Sequence, residues 1–162
     1  MRRLLSGFHQ DGDGEWVAEL SCHHHQHVRH RPPFRERPWV LDEAGRDARL
    51  GTDIDCPLCD RAELPDGLRV SRTIGPFDAT TLPPGLRRAH RVAEGVWGRL
   101  RVVEGSAGLR LETDPPIDVQ LAAGDSQPIP PGVPHAVSVD GPVTLVIDFL
   151  VAEVVGGSGA RP

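Results

Sequence analysis

The chain has 162 residues and a mass of 17.6 kDa, enough for one ordinary domain or for a very small domain beside one of about 100 residues. It contains 38% hydrophobic and 25% charged residues with 18 Gly and 16 Pro, so it is rich in turn-forming residues but too apolar to be disordered. The net charge of −5 argues against a general nucleic-acid-binding protein. All 18 basic residues are Arg, which excludes P-loop phosphate binding and Schiff-base catalysis, since both need a Lys.

Residue types that bind metals divide the chain near residue 61. All three Cys and six of the eight His precede this point. We therefore predict a Cys/His module at 1–61, a second domain at 62–155 and a flexible Gly-rich tail at 156–162. The sequence has no run of 18 apolar residues and no signal-peptide pattern, so we expect a cytoplasmic protein that does not enter a membrane.

The first module begins with the pattern of a β-hairpin. Two strands predicted at 4–9 and 15–21 flank a turn that contains two Asp-Gly steps. A short helix is predicted at 42–50, with Asp42 as its N-cap and Gly51 as its stop signal.

Four side chains of this module have the spacing of a structural zinc site. Cys56 and Cys59 form a Cys-x-x-Cys knuckle that can direct two thiolates at one ion. On a strand, Cys22 and His24 would share a face, so we predict them as the second pair of ligands, with His27 as the alternative to His24. A redox-active thiol pair and metal-free thiols are the alternative interpretations.

An Arg-rich stretch follows the His cluster. Arg29, Arg35 and Arg37 lie beside two aromatic residues, Phe34 and Trp39. Such a stretch can bind an anion or nucleic acid through guanidinium and stacking contacts. The alternative is a solvated loop whose two aromatic side chains are buried.

The residues of the first module also resemble a known family. The matching segments are Gly-Phe-His-Gln-Asp at 7–11, Trp-Val-Ala-Glu-Leu-Ser-Cys with the following His, Gln, Arg and Pro residues at 16–33, Arg-Pro-Trp at 37–39 and Asp-Cys-Pro-x-Cys at 55–59. Over about residues 3–61 the chain resembles a small bacterial family of unknown function. That family tends to have Gly in place of His23, so the resemblance argues against His23 as a ligand.

The second domain has the pattern of an all-β fold. Short apolar runs are separated by Gly and Pro turns at 67–73, 95–104, 109–112, 119–121, 135–139 and 143–151. Strands of this length and spacing predict a sandwich or a small barrel.

One motif of the second domain resembles a cupin motif. The spacing Gly124-x5-Pro130-x-Gly132-x2-His135 is similar to the second cupin motif, whose Pro-Gly turn directs a His into the mouth of a β-barrel. The first cupin motif is only half present. His90, Glu94 and His135 could still form a two-His, one-carboxylate set for a second divalent metal whose identity stays open.

Four further segments resemble the TehB/YeaR-like cupin family more specifically. They lie at 64–68, 86–90, 95–105 and 129–135, and the resemblance covers about residues 62–152. The family is associated with tellurite resistance. The resemblance therefore implies a cupin barrel and a role in tellurite or oxyanion stress.

Taken together, the patterns predict a mainly β chain: a cupin-like β-barrel or sandwich preceded by a small zinc-ribbon-like α+β module. The first functional hypothesis is a metal-binding cupin-type protein that acts on a small molecule or an oxyanion. The second is a non-enzymatic binding protein with a structural zinc module, for which Arg29, Arg35, Arg37 and Trp97 are the candidate binding residues. Whether the protein is an enzyme stays open, and a homodimer is possible.

Overall fold

A computed structural model describes residues 1–153, so the tail predicted at 156–162 lies outside the described residues. The strands are β1 (Arg2–Gln10), β2 (Trp16–Leu20), β3 (His25–His27), β4 (Asp53–Asp55), β5 (Leu68–Phe77), β6 (Trp97–Leu111), β7 (Ile117–Ala122), β8 (Ser126–Ile129), β9 (His135–Ser138) and β10 (Val143–Ala152). Two short α-helices, α1 (Glu43–Asp47) and α2 (Pro57–Asp60), and two 3-10 turns at Pro38–Val40 and Pro84–Arg87 complete the elements. Within this part of the chain, no helix is long and apolar enough to cross a membrane.

The first module is a four-stranded antiparallel sheet in the order β3-β2-β1-β4. The predicted hairpin is present, and the carboxylate of Asp11 holds its turn by accepting from the Asp13 and Glu15 amides at 2.9 Å each. Asp42 caps α1 as predicted and accepts from the Gly45 amide at 2.6 Å. The helix ends earlier than predicted, because the chain leaves it through turns that lead to Gly51 with a φ of 75°.

The second domain is built around the long strand β6. The first part of β6 pairs with β10 and β8, and its last residues pair with β7 and β9. β5 adds to the far side of β10. The runs predicted separately at 95–104 and 109–112 therefore belong to one continuous strand. β8 has no counterpart in the prediction, because Pro128 lowers its strand propensity; this short strand pairs only with β6.

Aliphatic side chains fill the space between the strands of the second domain. Its buried apolar residues include Leu100, Val102, Leu109, Leu111, Ile129, Val137, Leu145 and Ile147. The mainly β fold predicted from the sequence is confirmed. The interior of this domain is a packed hydrophobic core.

The two regions are packed against each other. Trp97 and Leu150 belong to the hydrophobic cluster of the first module, together with Leu20 and Cys22. Arg3, which is 7% exposed, donates from Nη2 to the Pro131 carbonyl oxygen at 2.8 Å. Strands β6 and β10 of the second domain thus complete the core of the first module.

Candidate metal centre

The four predicted zinc ligands come from two turns that face each other. Cys56 precedes α2 and Cys59 lies within it, which is the knuckle expected from their spacing. Cys22 and His24 do not lie on a strand as predicted. They lie in the turn between β2 and β3, where the Leu20 amide donates to the His24 carbonyl oxygen at 3.0 Å.

The turn explains why a Gly suits the position between the two ligands. His23 has a φ of 68°, in the left-handed region that favours Gly. This conformation turns the chain so that Cys22 and His24 face the same point. The His23 side chain points elsewhere, with Nε2 2.8 Å from the Gly95 carbonyl oxygen.

The distances between the four side chains match those of a tetrahedral site. Nδ1 of His24 lies 3.5, 3.4 and 3.6 Å from the Sγ atoms of Cys22, Cys56 and Cys59, respectively. The Sγ atoms of Cys22 and Cys56 are 3.9 Å apart, and all four ligand atoms lie within 4.8 Å of one another. Tetrahedral zinc with ordinary bond lengths would separate N from S by about 3.6 Å and S from S by about 3.8 Å. The cluster could therefore hold one metal ion without rearrangement.

The cluster is closed to solvent, and its ionisable groups shift one another's pKa values. The three Cys are at most 1% exposed and His24 is 3% exposed. Burial lowers the pKa of His24, but hydrogen bonds with the Cys22 and Cys56 sulfurs outweigh burial and raise that pKa to about 9. Hydrogen bonds from Cys22 and Cys59 lower the pKa of the Cys56 thiol, whereas those with Cys22 and Cys56 raise the pKa of Cys59. Without metal, these hydrogen bonds favour a thiolate beside a protonated His24, and binding of a metal ion would displace the His24 proton.

Trp97 of the second domain packs directly against this cluster. Its indole Nε1 donates to the Cys22 carbonyl oxygen at 2.9 Å, and its ring lies edge to face with the His24 ring at 5.5 Å. Trp97 is fully buried, so the structure places this candidate binding residue in the core rather than on an open surface. The Nε2 atom of His24 is buried and has no hydrogen-bond partner among the described residues.

His27, the alternative ligand, is separate from the cluster. Its Nε2 lies 2.8 Å from Oδ2 of Asp11, and its side chain is 51% exposed. The structure thus brings His24, not His27, to the three Cys.

The candidate ligands of the second domain lie near one another without forming a comparable cluster. His90 and His135 exchange backbone hydrogen bonds, and their rings are 5.4 Å apart. The side chain of Glu94 is 76% exposed and lies 3.6 Å from Nη1 of Arg3. Among residues 1–153, only the Cys/His cluster brings three or more ligand atoms within 4.8 Å of one another. The second metal site stays a prediction.

His135 is held as a neutral side chain in its present surroundings. It is 3% exposed, and its Nδ1 lies 3.0 Å from the Val133 carbonyl oxygen. Burial lowers the pKa of His135, and the nearby His90 adds to that effect. A neutral ring that donates through Nδ1 keeps the Nε2 lone pair.

The Arg-rich stretch lies on the surface of the first module. Arg29 pairs with Glu15 at 2.9 Å, and Arg35 is exposed. Arg37 is half-buried, and its backbone amide donates to Nδ1 of His30 at 2.9 Å. Phe34 is 91% exposed, so the alternative in which both aromatic residues of this stretch are buried does not describe it.

Sequence reasoning missed the part played by Arg3. This buried Arg joins β1 to the second domain through the Pro131 carbonyl oxygen and Glu94. The alternation of the strand carried the signal, because Arg3 shares the inward-facing side of β1 with Leu5.

Two family models match different parts of the chain. Residues 6–63 match the family described as a protein of unknown function, DUF3565, and residues 72–147 match the TehB-like domain. The two matched segments are here called the DUF3565 region and the TehB-like domain, after the families that they resemble. Both resemblances drawn from the sequence are thereby confirmed. Among curated proteins, no relative matches the chain.

Solved structures support the fold of the TehB-like domain. A crystal structure of a protein from E. coli strain K12 is 23% identical, covers 62% of this chain and 96% of its own, and has a TM-score of 0.54. TehB from Haemophilus influenzae is 16% identical over 54% of this chain and 32% of its own, with a TM-score of 0.47. Hydroxypropylphosphonic acid epoxidase from S. wedmorenis is 24% identical over 44% of this chain and 39% of its own, with a TM-score of 0.35. Only the first similarity is close enough to support the shared fold.

Proposed function

We propose that this protein is a zinc-binding, cupin-like binding protein in which Cys22, His24, Cys56 and Cys59 hold a structural zinc ion. The observation that carries the proposal is the convergence of three sulfur atoms and one imidazole nitrogen within 4.8 Å of one another in the core. Thiolate and imidazole are ligands that zinc prefers, and four protein ligands leave no open position for a substrate.

The surroundings of the cluster favour a structural role over a catalytic one. The ligands are buried, and Trp97 covers them from the TehB-like domain. A metal in this position would fix the turn before β3 to α2 and so stabilise a module of about 60 residues. A reducing compartment such as the cytoplasm would keep the three thiols available to the metal.

The interior of the TehB-like domain gives no support for a reaction there. Aliphatic side chains fill its interior, and Glu94 is directed towards Arg3 rather than towards the two His residues. We therefore assign no reaction to this domain. A second metal held by His90 and His135 remains part of the proposal only as a weaker, two-ligand site.

The zinc proposal predicts one zinc ion per chain, lost on removal of a ligand. We expect His24→Ala and Cys56→Ser to contain at most a small fraction of the zinc of the parent protein, because structural zinc needs all four ligands. Metal content would be measured by mass spectrometry on full-length protein purified under reducing conditions. Replacement of zinc by Co²⁺ should also give the visible absorption of a tetrahedral thiolate site.

The matched control is His27→Ala, which removes the alternative ligand from the same His cluster. The His27 side chain contacts Asp11 on the surface, so this variant should keep its zinc. Full zinc content in His24→Ala, or loss of zinc in His27→Ala, would contradict the assignment.

A role in tellurite or related oxyanion stress is the second part of the proposal. The match of residues 72–147 to the TehB-like domain supports it. Deletion of the gene should lower the tellurite concentration that the cells tolerate, and a copy encoding the intact chain should restore tolerance. Unchanged tolerance after deletion would remove the oxyanion role and leave the zinc assignment untouched.

A further inference from the structure

A concave surface of the DUF3565 region is lined by positive side chains and one aromatic ring. This surface, here called the arginine groove, has a volume of about 370 Å³ and is lined by His27, Arg29, Arg31, Phe34 and Arg35. It is formed by β3 and the loop that follows it, and it shares no residue with the metal cluster.

The positive charge in the arginine groove is only partly neutralised. Glu15 is shared by two arginines, at 2.9 Å from Arg29 and 3.5 Å from Arg31. In residues 1–153, no carboxylate lies within ion-pair distance of Arg35. The groove therefore holds three guanidinium groups against two carboxylates, Glu15 and Asp11, of which Asp11 contacts His27 at 2.8 Å. This excess of positive charge attracts an anion.

The backbone of the loop places two of these charges directly opposite each other. Arg31 and Arg35 form an isolated antiparallel bridge, with amide-to-carbonyl distances of 2.8 and 2.9 Å. Like charges at opposed positions of an antiparallel pair destabilise it. An anion bound between the two guanidinium groups would remove this repulsion.

A neighbouring residue shows the same excess of positive charge. The Nη1 atom of Arg37 is buried and has no hydrogen-bond partner among the described residues. Burial lowers the pKa of Arg37, and the charge of Arg35 lowers it further. The base of the loop is nevertheless held in place, since the Arg37 amide donates to Nδ1 of His30.

The aromatic ring of the groove is exposed to an unusual degree. Phe34 is 91% exposed, the highest value among the exposed large hydrophobic side chains of residues 1–153. It lies at the tip of the loop, between the two arginines that oppose each other. An exposed aromatic face beside guanidinium groups is the arrangement that stacks on a planar base while the adjacent phosphate is bound.

We propose that the arginine groove binds a nucleotide, with its phosphate between Arg31 and Arg35 and its base against Phe34. A guanidinium group can bind phosphate through two parallel hydrogen bonds. The Phe34 ring can stack on the planar base next to that phosphate. The volume is that of a small-molecule site, and the net charge of −5 disfavours a long nucleic acid. The site goes beyond the zinc assignment and does not depend on it.

The first experiment separates the two halves of the ligand. Full-length protein is titrated with adenosine monophosphate, uridine monophosphate, adenosine and inorganic phosphate at low salt. We expect both nucleotides to bind, and adenosine and phosphate alone to bind at least about tenfold more weakly, because stacking and guanidinium contacts each contribute roughly that factor.

The second experiment assigns the binding to the groove. Arg35→Ala and Phe34→Ala should each weaken nucleotide binding by about tenfold or more, and Phe34→Trp should restore it, since Trp keeps the stacking face. Both side chains are exposed, so the fold should survive, which circular dichroism and zinc content would verify. The matched control is Arg88→Ala, an exposed arginine of the TehB-like domain that should leave binding unchanged.

Several results would overturn the proposal. Failure of both nucleotides to bind the folded, zinc-loaded chain removes it, as does inorganic phosphate binding as tightly as the nucleotides. Tenfold tighter binding of a single-stranded DNA decamer would assign the groove to a polymer instead. Sedimentation with anionic lipid vesicles that depends on Phe34 would assign it to a membrane surface. None of these results bears on whether the cluster of Cys22, His24, Cys56 and Cys59 holds zinc.

Discussion

At the scale of single residues, Asp148 is a buried acid that forms ion pairs with two arginines. It lies on β10 with 1% of its surface exposed. Its carboxylate accepts from Thr73 Oγ1 at 2.7 Å, from Arg99 Nη2 at 2.8 Å and from Arg101 Nε at 2.8 Å. Burial raises the pKa of Asp148, but hydrogen bonds from Arg101, Thr73 and Arg99 outweigh burial and hold that pKa at about 2.

Replacing Asp148 with Asn should lower the free energy of unfolding by about 2–4 kcal/mol at pH 7, because two partly buried arginines lose their counterion. A carboxyl group with a lowered pKa stabilises the fold above its unfolded-state pKa of about 4 and loses that effect as the pH falls through about 2. The difference between parent and variant should therefore shrink between pH 4 and pH 2. Urea unfolding at a series of pH values measures it.

Asp118→Asn is the matched control, since Asp118 pairs with Arg110 on the surface and is 64% exposed. It should change stability little. A stability loss in Asp148→Asn that stays constant down to pH 2 would show that packing, not the carboxylate charge, stabilises this part of the sheet.

At the scale of elements, β6 depends on a single Gly where its pairing changes. Gly105 has a φ of 73°, and a Cβ atom there would overlap the Pro142 carbonyl oxygen. The register between β6 and β10 shifts beside this point, between Thr144 and Leu145. Gly105 therefore allows one strand to pass from its partners β10 and β8 to its partners β7 and β9.

Gly105→Ala should destabilise the protein by about 3 kcal/mol, since it combines a left-handed φ with an overlap against the backbone. Gly124→Ala separates the two effects. Gly124 has a φ of 92° but open space around its Cβ position, so we expect a loss of about 1 kcal/mol from backbone strain alone. Thermal unfolding compares the two, and equal losses would show that the overlap is relieved by a small backbone shift.

The same strand shows what local sequence patterns can predict. Alternation and turn residues predicted most strands of the TehB-like domain, because a half-buried strand repeats every two residues. Gly105 and Gly108 resembled breakers, so β6 was predicted in two pieces. They stay within a strand because Gly105 pairs with Val143 and Gly108 pairs with both Gln120 and Ser138, a tertiary effect that no local pattern carries.

The sequence predicts which residues form the metal cluster, but only part of the local conformation that brings them together. Cys56 and Cys59 follow from their spacing. Cys22 and His24 were chosen because they would share one face of a strand. The predicted strand for the second pair was wrong, because the left-handed backbone of His23 turns the chain there. Trp97 and Cys22 are 75 positions apart in the sequence, so local patterns could not indicate their contact.

At the scale of the whole molecule, the boundary near residue 61 is not a gap in packing. Trp97 contacts the metal-binding turn through the Cys22 carbonyl oxygen at 2.9 Å, and Arg3 reaches the Pro131 carbonyl oxygen at 2.8 Å. Leu150 lies in the same hydrophobic cluster as Cys56 and Cys59. A metal in the cluster would therefore stabilise the surface against which the sandwich packs.

This shared packing predicts that Trp97, although it is not a ligand, supports zinc binding. Trp97→Ala should cost about 3–5 kcal/mol of stability and also weaken zinc binding, because the turn that carries Cys22 and His24 loses its cover. Leu109→Ala is the matched control: Leu109 is buried in the sandwich cluster, so its truncation should cost about 2–5 kcal/mol and leave zinc affinity of the folded protein unchanged. Zinc affinity is measured by competition with a chelator, and stability by tryptophan fluorescence and far-ultraviolet circular dichroism together.

In the zinc-loaded parent protein, the fluorescence and circular dichroism signals should change in one unfolding transition, and chelation of the zinc should lower the midpoints of both. Equal zinc affinity in the two variants, with fluorescence changing well before circular dichroism, would mean that the metal stabilises the DUF3565 region alone.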